Sequence, residues 1–93
     1  MTKHSRIGLI VIAAVFGTAF AQSALAAPKP LCQNYAQLAV NSYHRMQALD
    51  LGCQGFRWHA WYNGHYEWCR STSGVSAQSE TIARKRTLFS GQC

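Results

Sequence analysis

The side chains with the widest chemical range in this 93-residue chain are His44, His59, His65 and Glu67, together with the arginines around them. Histidine and carboxylate exchange a proton when held within hydrogen-bond reach, and an arginine steadies an anion. Their spacing argues against such use. His65 and Glu67 are two positions apart, so on one helix they point roughly 200° from each other. His59 and His65 are six apart, unlike the i, i+4 pairs that ligate a metal from one helix face. No Ser/His/Asp order, H-E-x-x-H or glycine-rich phosphate loop accompanies them, and an oxidised cysteine is no nucleophile. The favoured reading has no catalytic residue, no metal ligand and no cofactor. His65 is then a core histidine bonded to a tyrosine or a backbone carbonyl, while His44 and His59 lie at the surface.

The elements that must position these groups are helices. Cys32, Tyr35, Ala36, Ala39, Val40, Tyr43 and Met46 follow the i, i+3, i+4, i+7 pattern of an amphipathic helix over Leu31 to Leu49. Pro30 suits its first turn and Gly52 its end, and Gln33, Gln37, Asn41 and Gln47 face water. Between Arg57 and Arg70 lie all three tryptophans. On a helical wheel Trp58, Trp61, Tyr62, His65, Tyr66, Trp68 and Cys69 fall within about 160°, which favours a second, core-forming helix. Asn63-Gly64 argues for a hairpin instead, and Asn63 is also a candidate N-cap. A third helix is expected from Val75 to about Ser90, with Val75, Ile82 and Phe89 as its inward stripe and Gly91 as its stop. The predicted core is Tyr35, Val40, Tyr43, Trp61, His65, Trp68, Ile82 and Phe89. Aromatic rings stack on sugars and bases, so Trp58 and Trp61, with Arg57, His59 and Arg70 beside them, are the candidate binding residues.

The N-terminal segment has the layout of a secretory signal peptide: Lys3 and Arg6, an apolar run from Ile7 to Ala21, and Ala24-Leu25-Ala26 before a cut. Residues 1–26 are read as that signal and 27–93 as one small domain. The apolar run is shorter than the roughly 20 residues of a spanning helix, so no membrane span is expected after cleavage. Seven basic residues less three acidic ones leave the mature part at +4, which permits anionic partners without requiring them. Arg84-Lys85-Arg86 is read as solvated charge rather than a dedicated anion patch.

A domain of this size is marginal without cross-links. Cys32, Cys53, Cys69 and Cys93 have no C-x2-C pair among them, so an exported chain with this even count reads as two disulfides rather than a zinc site. Disulfide partners need alpha carbons within about 7 Å, whereas a helix of about 16 residues separates its ends by roughly 24 Å. Pairings across a single helix are therefore disfavoured, and three antiparallel helices return Cys69 to Cys32 and Cys93 to Cys53. The expected fold is all-α: a three-helix domain stapled by Cys32–Cys69 and Cys53–Cys93.

Cys-x2-Tyr-Ala-x2-Ala-Val from Cys32 to Val40, then Arg57-Trp58, His65-x2-Trp68-Cys69 and Glu80-x3-Arg84 leading to Cys93, resembles a group of small exported bacterial proteins of unassigned function. The resemblance covers almost all of the mature chain. It implies export and a shared disulfide frame, and it brings no ligand or activity. The function expected is a periplasmic or secreted, non-catalytic binding or envelope-associated protein. Its partner is an anionic envelope component or another protein, and no specific nucleic acid is expected. A cationic membrane-active or antimicrobial-type protein is the alternative, and a small secreted hydrolase the weaker one.

Overall fold

A computed structural model describes residues 25–93; the expected signal peptide lies outside them except for its last two residues. Three helices follow in order: α1, Lys29–Ala48; α2, Tyr62–Arg70; and α3, Gly74–Ser90. The all-α architecture is the one expected, and so is the pairing Cys32–Cys69 and Cys53–Cys93, each with alpha carbons 5.5 Å apart. Two disulfides belong to an oxidising compartment. Among the described residues, no helix is long and apolar enough to cross a membrane.

The α1 helix forms where its apolar spacing predicts. Pro30 occupies the first turn, where a missing N–H costs nothing. Cys32, Tyr35, Ala36, Ala39 and Met46 are buried, Val40 and Tyr43 are half-buried, and the glutamine and asparagine face is exposed. Its end comes earlier than Gly52: Leu49 caps it, and Asp50 takes the left-handed turn at φ 57°, a conformation Asp tolerates better than most residues. The other two helices both pack against α1, which makes it, and not the tryptophan-rich stretch, the central element. Two apolar clusters result. One gathers Ala27, Cys32, Tyr35, Cys69 and Ala77, with Leu31, Tyr66 and Trp68 against it. The other gathers Met46, Cys53 and Trp58, with Tyr43, Leu51 and Leu88.

The tryptophan-rich stretch is helical only from Tyr62. No hairpin forms, since Asn63 and Gly64 lie inside the first turn of α2, and the N-cap is Trp61 rather than Asn63. The preceding segment stays irregular because its anchors pull it elsewhere. Cys53 is tied to Cys93, the Trp58 amide donates to the Gly55 carbonyl at 3.0 Å, and the Trp58 ring is buried with Met46.

The α3 helix starts where Ser73 accepts a hydrogen bond from the Ser76 amide at 3.2 Å, the usual serine N-cap. It ends at Gly91, whose φ of 75° suits a residue without Cβ. Its roll differs from expectation: Val75, Ile82 and Phe89 are exposed, and Ala77, Arg84 and Thr87 face inward. Polar contacts set that roll. Glu80 pairs with Arg57, the Arg84 guanidinium donates to the Arg57 carbonyl, and Cys93 ties the helix end to Cys53. Ile82 and Phe89 are therefore not core residues.

Candidate functional site

Where α2 begins, a cavity of about 190 Å³ is lined by Tyr35 of α1, Phe56, His59 and Trp61 of the connecting segment, Gly64, His65 and Trp68 of α2, and Arg84 of α3. Its floor holds the feature hardest to reconcile with a mere core. Arg84 is 2% exposed, yet a guanidinium needs partners for five N–H donors. Its Nε donates to the Arg57 carbonyl at 3.1 Å, and its carbon lies 5.1 Å from the centre of the Tyr35 ring, close enough for cation–π attraction. Its Nη1 is buried with no hydrogen-bond partner. Within the described residues no carboxylate pairs with it, because Arg57 holds both oxygens of Glu80, at 2.8 and 3.0 Å.

A buried charge without a counter-charge is expensive, and an orphaned donor adds to the cost. The neighbours respond to both burial and charge. Burial raises the Tyr35 hydroxyl above its ordinary pKa, with the Arg84 guanidinium partly opposing the shift. The Arg57 guanidinium is held still more firmly protonated by its bond to Glu80.

His65 is a core histidine bonded to a backbone carbonyl, as expected: it is buried, and its Nε2 lies 2.9 Å from the His59 carbonyl oxygen. That bond makes Nε2 the protonated nitrogen and Nδ1 the acceptor in the neutral ring. Burial lowers the His65 pKa most; the carbonyl pulls the other way, and His59 and Arg84 lower it further. His59 is half-buried rather than at the surface, and its ring stacks on that of His65 with centroids 3.8 Å apart and planes 4° apart. The six-residue spacing misleads because His59 is not on the helix. Parallel stacking does not converge the two rings on one metal ion, and no group of three or more metal-binding side chains occurs among the described residues. His44 is exposed, as is Glu67.

Of the candidate binding residues, only His59 and Trp61 line this cavity. Trp58 is 7% exposed, packs in the second cluster and borders a separate cavity of about 470 Å³ beside Met46 and Cys53. Arg57 is engaged by Glu80, and Arg70 Nη1 donates to the Ala27 carbonyl at 2.9 Å. Trp61, expected in the core, is 68% exposed at the cavity rim with Phe56, while Trp68 is half-buried against Tyr35. Arg84 is the residue that sequence reasoning missed. Its place in an Arg-Lys-Arg run reads as solvated, and only the following pair, Lys85 and Arg86, is exposed. The available signal was the spacing Glu80-x3-Arg84, which puts both on one helix face.

Comparison with protein-family models, curated proteins and solved structures gave no match for this chain. The fold and cavity define a small disulfide-stapled helical domain with a cationic, aromatic-walled pocket, and its chemistry rests on its own residues.

Proposed function

We propose that this chain is an exported, non-catalytic binding protein whose ligand is an anion held over Arg84. The observation that carries this reading is Arg84, which lines the cavity and whose Nη1 is buried without a hydrogen-bond partner. A fold that buries a guanidinium and leaves a donor unmet gains most from a ligand that supplies negative charge, because charge-assisted hydrogen bonds strengthen away from water. Binding is favoured over catalysis by the state of the other polar groups. His65 is committed to a carbonyl, Tyr35 is held protonated by burial, Glu80 is occupied by Arg57, and all four cysteines are oxidised. Export is supported by the two disulfides and the signal-like N-terminus. The membrane-active alternative draws on the exposed Val75, Ile82 and Phe89, with Lys85 and Arg86 nearby.

The test is a nitrogen-detected NMR titration of the folded protein with acetate, phosphate and benzoate, following the Arg84 side chain. Saturable movement of the Arg84 signals by at least one anion is expected. If none of them moves those signals, the anion-binding reading falls.

A further inference from the structure

Resting on that reading, we propose that the ligand is a small planar monocarboxylate: an aromatic acid whose body lies against the rim rings and whose carboxylate meets Arg84. Three observations select this class. First, the volume is small. An apolar cavity of about 150 Å³ holds one benzene ring, and about 190 Å³ leaves room for little more than a ring with a carboxylate. Second, the charge to be met is single. Among the residues lining the cavity, Arg84 is the only permanent cation, and the His65 pKa is lowered, so a dianion such as phosphate would bring more negative charge than the site neutralises. Third, the walls are flat rings: Phe56, Trp61, Trp68, Tyr35 and the stacked imidazoles. Such faces favour an aromatic body over an aliphatic chain.

Entry runs past Trp61. Arg84 and His65 line the cavity but are buried, whereas Trp61 and Phe56 are each 68% exposed, so the rim is where a ligand first finds room. Trp61 is placed by two features. Its amide donates to His59 Nδ1 at 3.2 Å, and its indole lies over Gly64, where a Cβ would run into the six-membered ring. Gly64 thus holds open the space the Trp61 ring occupies, a role the hairpin reading of Asn63-Gly64 does not contain. Substituting Gly64 with alanine moves the ring without removing any polar group, and alanine is the better helix former.

The experiment is isothermal titration of the oxidised protein with benzoate, benzamide, acetate and phosphate. Benzoate is expected to bind tightest, with benzamide and acetate each at least about tenfold weaker. Gly64→Ala is expected to weaken benzoate about tenfold while leaving the circular dichroism spectrum unchanged. Arg84→Gln is expected to abolish binding, and should that variant fail to fold, Trp61→Ala takes its place, with the same loss expected as for Gly64→Ala. Benzamide binding as tightly as benzoate would show that the charge is not read and would overturn the proposal. Acetate or phosphate matching benzoate would also overturn it, while leaving the anion site of the preceding section standing. Absence of binding by all four would remove both readings together.

Discussion

The two disulfides close loops of nearly equal size, with sequence separations of 37 and 40, yet they sit in unlike surroundings. Cys32 and Cys69 are fully buried where α1 meets α2, among Ala27, Tyr35 and Ala77. Cys53 is buried beside Met46 and Trp58, but Cys93 is exposed at the chain end. In the loop-entropy picture the two bonds contribute almost equally, about 4 kcal/mol each. What separates them is packing. The first bond is itself core material, whereas the second tethers residues 49–61 and the end of α3, the frame that carries Phe56, His59 and Trp61 to the cavity. One end of the molecule holds the fold together; the other holds the site in place.

Breaking each staple in turn tests that division. Replacing Cys32 and Cys69 together with serine removes cross-link and packing at once, and the sum approaches the whole stability of a domain this small. No cooperative thermal transition is expected. Replacing Cys53 and Cys93 should lower the melting temperature but leave a cooperative transition, while anion binding at Arg84 is lost. Equal damage from the two double variants, measured by circular dichroism melts, would show that their burial difference carries no weight.

A smaller effect comes from His65. Its folded pKa lies below the ordinary 6.5, so the unfolded chain takes up the proton first as pH falls. The stability due to the neutral ring is therefore complete above pH 6.5 and lost as pH drops from there toward the lowered value. Melting temperature should decline over that window, and His65→Gln should flatten the decline. The smallest effect is expected at Phe89, which is 94% exposed. Phe89→Ser should change stability by no more than about 0.5 kcal/mol. Binding to anionic vesicles that disappears in this variant would instead favour the membrane-active alternative.

The contrast between legible and hidden features follows from which forces act locally. Helix α1 was legible because its seven apolar positions all turn toward the interior, fully or in part. The pairing followed from rigid helix lengths, which leave few ways for four cysteines to meet. Helix α3 was misread because Val75, Ile82 and Phe89 are apolar by type, while its roll is set from a distance by Arg57 and Cys53. Trp58, expected at a binding surface, is buried, and Trp61, expected in the core as well as at that surface, is exposed, for a related reason. A single helical wheel treats both as one face, but the chain is not helical at Trp58, and each ring follows its own anchor. Arg84 was hidden by its neighbours in sequence, since Glu80 four residues earlier is the one local mark that sets it apart from the two exposed cations of Arg-Lys-Arg. The contact between His59 and His65 exists only because α2 starts after His59.

One feature at the front of the domain bears on the order of events in the cell. Ala27 is buried, its amide donates to the Thr72 carbonyl at 2.8 Å, its carbonyl receives Arg70, and Ala26 forms a β-bridge with Ser73. The proposed cut before Ala27 therefore falls on backbone that the folded chain has already put to use. Proteases act on locally opened chain, so if the chain is cut there, the cut is expected to precede the pairing of Cys32 with Cys69. In a chain so cut, the new terminal ammonium would take the place of the amide against the Thr72 carbonyl, and cleavage before folding would run in one direction only.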